Sequence, residues 1–219
     1  MPLELVSQSS IGLYGGLATF SMDNLKELNN QQTNSLPFDI VKVDNFNPGF
    51  YMGASFNYSL SDNYLIGIQY QYTTTGSRIG QKDYSGFYYF DQIASGHFIG
   101  IKPETVIERN SFFSVSLYLE TGAIFTKLKM KEKLEVYDIK QESSESFFAV
   151  SVPVSAGIKA SIPIIDKLSG TVSCGYLYDT GSKLHLKGNK YAVVAVNEIP
   201  VKTGWTGFRI NAGLTFKLK

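Results

Sequence analysis

The chain alternates apolar and polar residues with a period of two in eight separate segments. The last of them, residues 205–219, sets Phe208, Ile210, Ala212, Leu214, Phe216 and Leu218 on one face and Gly207, Arg209, Asn211, Gly213, Thr215 and Lys217 on the other. A period of two is that of a β-strand, in which successive side chains point to opposite sides. The other segments lie at residues 10–21, 49–60, 64–76, 94–107, 112–126, 147–162 and 168–179. The pattern predicts eight strands that are apolar on one side only.

The connections between these segments are of two kinds that alternate along the chain. Short turns are expected at residues 61–63, 108–111 and 165–167, and long polar connections at residues 22–48, 79–93, 127–146 and 180–204. This alternation places all short turns at one end of an up-and-down barrel, the periplasmic end in outer-membrane barrels. No linker-like composition divides the chain, so residues 1–219 are expected to form one domain. Pro103 predicts a bulge or a local break in pairing, because proline cannot donate to a β-ladder.

The size of the side chains indicates which face of the strands points inward. The apolar faces together carry about forty large side chains, more than the interior of an eight-stranded barrel can hold. The opposite faces, rich in Gly, Ser, Asn and Gln, fit that interior. The sequence therefore predicts an all-β fold, an eight-stranded antiparallel up-and-down transmembrane β-barrel with short periplasmic turns and long extracellular loops. A soluble lipocalin-like ligand-binding barrel, or a sandwich with paired apolar faces, is the alternative.

The aromatic residues on the apolar faces gather at the two ends of the strands. Membrane barrels carry such aromatic girdles at both interfaces. The predicted lower girdle contains Tyr58, Tyr64, Phe113 and Phe216, and the upper one contains Phe50, Tyr70, Tyr72, Phe125, Phe148, Tyr176, Tyr178 and Phe208. No charged residue lies on the apolar faces between them, which favours the membrane barrel over the soluble one.

Composition narrows the classes of function. With 20 Lys and Arg against 19 Asp and Glu, the net charge is +1, which provides no field to attract nucleic acid. One cysteine and two histidines argue against a structural metal site, and we expect no cofactor. No apolar run approaches the roughly 18 residues of a membrane-spanning helix. Residues 1–4 lack a signal-peptide pattern, so we expect an exported protein to be present here in a processed or recombinant form.

Two stretches resemble sequences of known outer-membrane proteins. The run 211–218, with Asn211, Gly213, Phe216 and Leu218, is similar to the assembly signal at the end of outer-membrane proteins, although Lys219 departs from the usual aromatic terminus. Residues 47–53 and the strands that follow, to Gly76, resemble the outer-membrane β-barrel domain family common in Bacteroidetes, whose members are small eight-stranded OmpA/OmpX-like barrels. The resemblance implies a location in the outer membrane of a Gram-negative bacterium and insertion by the barrel-assembly machinery. It implies little about activity.

Two sets of charged residues are candidate sites. A lumen charge network of mutually compensating ions is expected from Lys102, Glu104, Glu120, Lys159 and Arg209, which fall on the inward faces. An ion path through a narrow channel is the alternative reading of this set. A second set, Lys127, Lys129, Lys131 and Lys133, continues the outward face of the fifth strand beyond Phe125. There these lysines are placed to contact the phosphates of outer-leaflet glycolipid, or to be solvated charges on a hairpin arm that discourage edge pairing.

An enzyme and a binding patch are further alternatives. His97 and His185 lie near the outer rim, and Asp179, Ser182 and His185 have the residue types of a hydrolase, but no nucleophile motif surrounds a serine, so no catalytic residue is predicted. The apolar run 191–196 is either one arm of a hairpin with its tip at residues 188–189 or a partner surface. We expect a non-enzymatic barrel with a structural or binding role through its loops, alone or within an envelope complex. A lipid A modifying enzyme is the alternative.

Overall fold

The computed structural model describes residues 9–35, 41–137, 139–196 and 199–218. Residues 1–4 and Lys219, which carried the signal-peptide and C-terminal observations, lie outside these ranges. The elements in chain order are β1 (Ser9–Ala18), α1 (Asp23–Ser35), β2 (Val41–Asn45), β3 (Gly49–Ser59), β4 (Tyr64–Lys82), β5 (Gly86–Arg109), β6 (Ser114–Val136), β7 (Ile139–Ser151), β8 (Pro153–Ile165), β9 (Leu168–Asp179), β10 (Ser182–Lys183), β11 (His185–Leu186), β12 (Asn189–Val193), β13 (Ala195–Val196), β14 (Ile199–Pro200), β15 (Lys202–Thr203) and β16 (Gly207–Lys217).

Eight antiparallel strands close into a barrel. Around the wall the order is β1, β3, β4, β5, β6, β8, β9 and β16, and β16 pairs again with β1. β7 continues β8 upward as one barrel strand, interrupted at Val152, and it pairs with the upper part of β6. The short turns lie at one end, here called lower, and the long connections lie at the upper end. The predicted fold class is confirmed.

The two faces of each strand differ in the way the sequence predicts for a membrane barrel. On β6, Leu119 points outward with 56% of its surface exposed, while the neighbouring Glu120 points inward and is only 8% exposed. The outward apolar face is continuous around the wall, as Ile68, Val172 and Leu214 illustrate on three other strands. This excludes the soluble alternative, because a soluble barrel buries its apolar face inside.

Proline affects the pairing of β5 as predicted. In the ladder between β5 and β6, Ile101 lies opposite Thr121 and Glu104 lies opposite Tyr118, but Lys102 and Pro103 have no paired residue. The break is confined to this side, because Pro103 still lies opposite Ile66 of β4.

Two of the long connections are hairpins that extend the barrel strands. Residues 79–93 are taken up by β4 and β5, which continue to a tight turn at residues 83–85, and residues 127–146 are taken up by β6 and β7. Here the pattern of polarity reverses while the alternation continues. Inward positions become apolar, as at Phe90 and Leu128, and outward positions become polar, as at Asp91 and Lys127. The reversal marks the upper limit of the lipid-facing surface.

A cap covers the inner face of these extended strands. We define the cap as α1 together with β10–β15. The sequence did not predict α1, which is strongly polar and buries only Leu25 and Asn29 completely. Asn29 accepts a hydrogen bond from Gln92 Nε2 at 2.9 Å and donates one to Ser77 Oγ at 2.8 Å. Tertiary contacts of this kind therefore hold the helix in place, because its own sequence has little apolar surface to bury.

The rest of the cap is built from the last long connection. β11 and β12 form the predicted hairpin, but its turn lies at residues 187–188 rather than 188–189, because Asn189 already pairs with Leu186. Gly188 in this turn has a φ of 86°, which favours glycine. Gln32 of α1 donates to the hydroxyl of Tyr88 at 3.1 Å, and burial raises the pKa of Tyr88 to about 12. Among the described residues, no helix is long and apolar enough to cross a membrane.

We expect substitution of a lipid-facing residue by arginine to destabilise the barrel according to its depth. Leu119 lies midway between the predicted aromatic levels of Phe113 and Phe125, so Leu119→Arg should cost about 2–4 kcal/mol in lipid. Ile139→Arg, at the exposed start of β7, should cost less than about 0.5 kcal/mol. Urea titrations in phosphatidylcholine vesicles, followed by gel mobility without boiling, measure both. Equal costs for the two variants would contradict the membrane position of the apolar face.

Candidate functional site: a sealed lumen and a basic outer stripe

The five charged residues of the predicted network all point into the lumen. Lys102 and Glu104 come from β5, Glu120 from β6, Lys159 from β8 and Arg209 from β16. These strands meet around one narrow interior, so the alternation of each strand is sufficient to bring the charges to the same space.

The structure pairs these charges unequally. Lys159 Nζ forms a close ion pair with Glu104 Oε1, and both side chains are largely buried. Lys102 Nζ lies 3.9 Å from Glu120 Oε1 and 4.4 Å from the centre of the Tyr118 ring. Arg209 Nη1 donates to the amide oxygen of Gln71 at 2.6 Å rather than to a carboxylate. The network therefore consists of one close pair, one looser pair and a guanidinium bound to a neutral group.

Tyrosine rings fill the lumen around these charges, and glycines make room for them. Tyr14 lies opposite Gly53 on one neighbouring strand and Gly213 on the other, and a Cβ at either glycine would clash with Tyr14. Tyr118 is accommodated in the same way by Gly157 and Gly175. Four of the inward glycines therefore make room for two tyrosine rings.

Little open space remains inside the barrel. The lumen contains a cavity of about 40 Å³, bounded by the charged residues and tyrosines just described. Such a volume holds roughly one or two water molecules. Side chains therefore fill most of the lumen at the level of the charges, which argues against the channel hypothesis.

An apolar layer closes the lumen a second time, above the charges. Trp205 is fully buried, its Nε1 donates to Thr126 Oγ1 at 2.8 Å, and its ring meets Phe20 edge to face at 5.3 Å. Leu177 and Phe98 belong to the same buried cluster. Trp205 opens the segment that the sequence pattern predicts as the last strand, but β16 begins at Gly207. The alternation of the sequence already indicates that Trp205 points inward, because it lies four residues before Arg209 and therefore falls on the same face.

The carboxylate of Asp179 holds the segment that carries this tryptophan. Its Oδ2 accepts a hydrogen bond from the backbone N–H of Trp205, and its Oδ1 accepts one from Gly181, both at 3.1 Å. Ser182 and His185 belong to two short strands with different partners, β15 and β7. Both oxygens of Asp179 thus accept hydrogen bonds from backbone N–H groups, which gives this carboxylate a structural role.

The four lysines of the outer stripe lie on the outward face of β6, above Phe125. Lys133 Nζ is paired with Glu142 at 3.1 Å, but no ion pair of Lys127, Lys129 or Lys131 is found within the described residues. Asp91 lies opposite Lys131 in the β-ladder, yet its carboxylate is occupied by Arg78, whose Nη2 donates to it at 2.8 Å. Three lysines are therefore available to an external anion.

Hydroxyl groups flank the stripe on both sides. Ser95 of β5 lies opposite Lys127, and on β7 Ser146 lies opposite Lys129 and Ser144 opposite Lys131. Ser95 Oγ donates to the carbonyl of Lys127 at 3.4 Å, whereas the hydroxyls of Ser144 and Ser146 lie on the same face as the lysines and suit the oxygen atoms of a phosphate group.

The predicted aromatic girdle residues lie on the outer surface. Eleven of them are exposed: Phe50, Tyr58, Tyr64, Tyr70, Phe113, Phe125, Phe148, Tyr176, Tyr178, Phe208 and Phe216. The twelfth, Tyr72, is half-buried beside His97, with ring centroids 5.1 Å apart. A hydrogen bond of 2.7 Å joins the Tyr70 hydroxyl to Nδ1 of His97, so this histidine belongs to an outward aromatic cluster.

The residues of the predicted assembly signal have contacts within the folded barrel as well. Asn211 Nδ2 donates to the Tyr51 hydroxyl at 2.7 Å, and Gly213 allows the approach of Tyr14. Phe216 points outward, and the backbone N–H of Leu218 donates to the carbonyl of Ser9 at 2.7 Å. Recognition of this run by an assembly machine stays a prediction.

The apolar run 191–196 divides between surface and core. Tyr191 is 97% exposed on β12, whereas Val194 packs against the buried cluster that contains Trp205.

No group of three or more His, Cys, Asp or Glu is placed to hold a metal ion within the ranges that the structure describes.

The closed eight-stranded wall, the outward apolar face and the polar lumen define a small transmembrane β-barrel. No family model and no curated protein matches the chain by sequence.

Similar solved structures are outer-membrane proteins. Ail, the attachment invasion locus protein of Yersinia pestis, is 17% identical with a TM-score of 0.41, and the match covers 96% of this chain and 99% of Ail. Neisserial surface protein A is 11% identical with a TM-score of 0.40, covering 96% and 97%. OprG from Pseudomonas aeruginosa is 11% identical with a TM-score of 0.44, covering 97% of each chain. At these scores the function must be argued from the chain itself.

We expect the buried pair of Lys159 and Glu104 to be far more sensitive to single substitutions than an exposed pair. Glu104→Gln leaves a cation buried without its partner and should cost about 3–5 kcal/mol. Adding Lys159→Met should recover most of this loss. Glu142→Gln, which breaks the exposed pair with Lys133, should cost at most about 1 kcal/mol. Urea titrations of the four proteins test this, and a Glu104→Gln variant as stable as Glu142→Gln would contradict the burial of the pair.

Proposed function

We propose that the protein is an integral outer-membrane barrel of a Gram-negative bacterium that serves as a rigid anchor for a folded binding surface. The barrel itself neither transports solutes nor catalyses a reaction. The observation that carries the proposal is the folded upper region, in which four barrel strands continue past the lipid-facing surface and are closed by the cap. A barrel that only filled the membrane would not require this additional core.

The dimensions of the hairpins support a surface role. From Phe125 to Val136, β6 extends for about 35 Å along the strand, at about 3.3 Å per residue. The backbone N–H of Tyr137 donates to the carbonyl of Ser85 at 3.1 Å, which ties the tips of the two hairpins together. The β-ladders and this contact hold the tips as one unit.

Exposed tyrosines occupy these tips. Tyr84 is 98% exposed and Tyr137 is 75% exposed. Tyr137 also has a φ of 52°, a conformation that non-glycine residues rarely adopt. Tyrosine offers a large amphipathic surface at a low entropic cost and is enriched in protein interfaces. An envelope protein is the partner that we infer for this surface.

A second contact is inferred at the membrane surface. Lys127, Lys129 and Lys131 project outward just above Phe125, have no carboxylate partner in the described part of the chain, and are flanked by hydroxyls. We infer that they bind the phosphates of outer-leaflet glycolipid and so fix the height and rotation of the barrel. Insertion by the barrel-assembly machinery through the run 211–218 belongs to the same proposal.

The glycolipid contact predicts a phosphate-dependent gain in stability. In vesicles that contain bisphosphorylated lipid A, the triple variant of Lys127, Lys129 and Lys131 to Gln should lose about 1 kcal/mol per lysine relative to the unsubstituted protein. In vesicles with dephosphorylated lipid A the loss should disappear. The matched control replaces Lys82, Lys167 and Lys202 by Gln, which removes the same charge elsewhere on the surface. An equal effect in the control, or no dependence on phosphate, would contradict the contact.

The binding surface predicts a partner that depends on the hairpin tips. Purification of the tagged protein from native outer membranes in mild detergent should recover an envelope protein, and Tyr84→Ala with Tyr137→Ala should lose it. Leu17→Ala with Ile210→Ala, on the lipid-facing wall, is the control that should retain it. Recovery of the barrel as a monomer alone would contradict membership in a complex.

A further inference from the structure

The charges inside the barrel do not balance. Three cations, Lys102, Lys159 and Arg209, share the lumen with two carboxylates, Glu104 and Glu120. Lys217 has the same parity as Arg209 but lies eight residues further along β16, at the lower end of the barrel, and so does not belong to this cluster. The lumen therefore holds one positive charge in excess.

The carboxylate of Asp179 does not supply the missing negative charge. It lies above the lumen charges, where its two oxygens accept hydrogen bonds from the backbone of Gly181 and Trp205. Arg209 lies opposite Gly175 in the β-ladder, and Leu177 occupies the inward position between that level and Asp179. The excess charge is therefore local to the lumen.

Arg209 is the cation without a carboxylate of its own. Its side chain is buried, with 7% of the residue exposed, and Nη1 is used by the neutral oxygen of Gln71. Its Nε and Nη2 have no hydrogen-bond partner among the residues that the structure describes. Glu120 is already shared between Lys102 and Gln71 Nε2, which lies 3.5 Å from Glu120 Oε2. Leaving N–H groups of a buried cation unpaired is costly, because such groups lose their hydration without compensation.

Other groups near Arg209 also have donors in excess. The Tyr51 hydroxyl accepts from Asn211 Nδ2, which leaves its own proton for a further acceptor. Further along the lumen, the Gln69 amide oxygen accepts from the Tyr14 hydroxyl at 3.3 Å, while Gln69 Nε2 has no hydrogen-bond partner among the described residues. Among the described residues, Glu120 is the carboxylate that lines this cavity, and it is already shared by Lys102 and Gln71, so what is lacking is a further acceptor that carries a negative charge.

We propose that the lumen cavity beside Arg209 binds one monatomic anion, which is chloride under ordinary conditions. Arg209, Tyr51 and Lys102 all line this cavity of about 40 Å³. The volume corresponds to roughly one or two water molecules, which suits a chloride ion and is too small for a hydrated sulfate or phosphate. The bound ion neutralises the excess positive charge of the lumen and accepts hydrogen bonds from Nε and Nη2 of Arg209. Its role is structural, and it depends neither on the cap nor on the glycolipid contact.

The first test compares chloride with gluconate at equal ionic strength. The unsubstituted barrel is refolded in neutral phosphatidylcholine vesicles and unfolded with urea in sodium chloride or sodium gluconate. Because chloride binds only the folded barrel, each tenfold increase above its dissociation constant should raise the ratio of folded to unfolded protein about tenfold. Equal ionic strength removes general screening as the cause.

Variants and a heavier halide locate the ion. Arg209→Gln should abolish the difference between the two salts, whereas Lys82→Gln, which removes one positive charge outside the lumen, should retain it. Crystals of the unsubstituted protein grown in sodium bromide should give an anomalous peak within hydrogen-bonding range of Arg209. Equal stability in the two salts, or the absence of this peak, overturns the proposal, and neither measurement depends on the folding of Arg209→Gln.

Discussion

The narrow interior of an eight-stranded barrel is the constraint on which the other features depend. Eight strands enclose room for small side chains and a few large ones. Glycines at Gly53 and Gly213 therefore accompany Tyr14, and Gly157 and Gly175 accompany Tyr118, since a Cβ at these positions would clash. The space left over is a cavity of about 40 Å³. Most apolar side chains must point outward, and a wall with an outward apolar face is stable only in lipid.

The same constraint governs the charges in the lumen. A buried ion is tolerated where a partner satisfies it, and the close contact of Lys159 with Glu104 meets this condition. Arg209 meets it only in part, because its nearest acceptor is a neutral amide. The difference between these two cations is one of surroundings rather than of residue type, and it forms the basis for proposing an anion beside Arg209.

Above the lipid the constraint is relaxed, and the direction of the pattern reverses. Water then surrounds the wall, so outward positions become polar and inward positions become apolar without any change in the alternation. The exposed inner face needs a cover, which α1 and the short strands of the cap provide. Trp205 lies where this apolar interior meets the charged lumen, and its N–H group finds a partner in Thr126. The barrel is thus sealed by the same layer that attaches the cap.

The sequence by itself determined the eight strands, the direction of their faces and the set of charges in the lumen. These features follow from the alternation of side chains along one strand, which is a local property. Only the tertiary structure decided which charges form pairs and where the strands β4 to β7 end. It also decided that residues 23–35 form a helix. Those outcomes depend on residues far apart in the chain, such as Asn29 with Gln92, Arg209 with Gln71 and Trp205 with Thr126. Strand register and closure of the wall bring these residues together, and neither can be read from the alternation of a single strand.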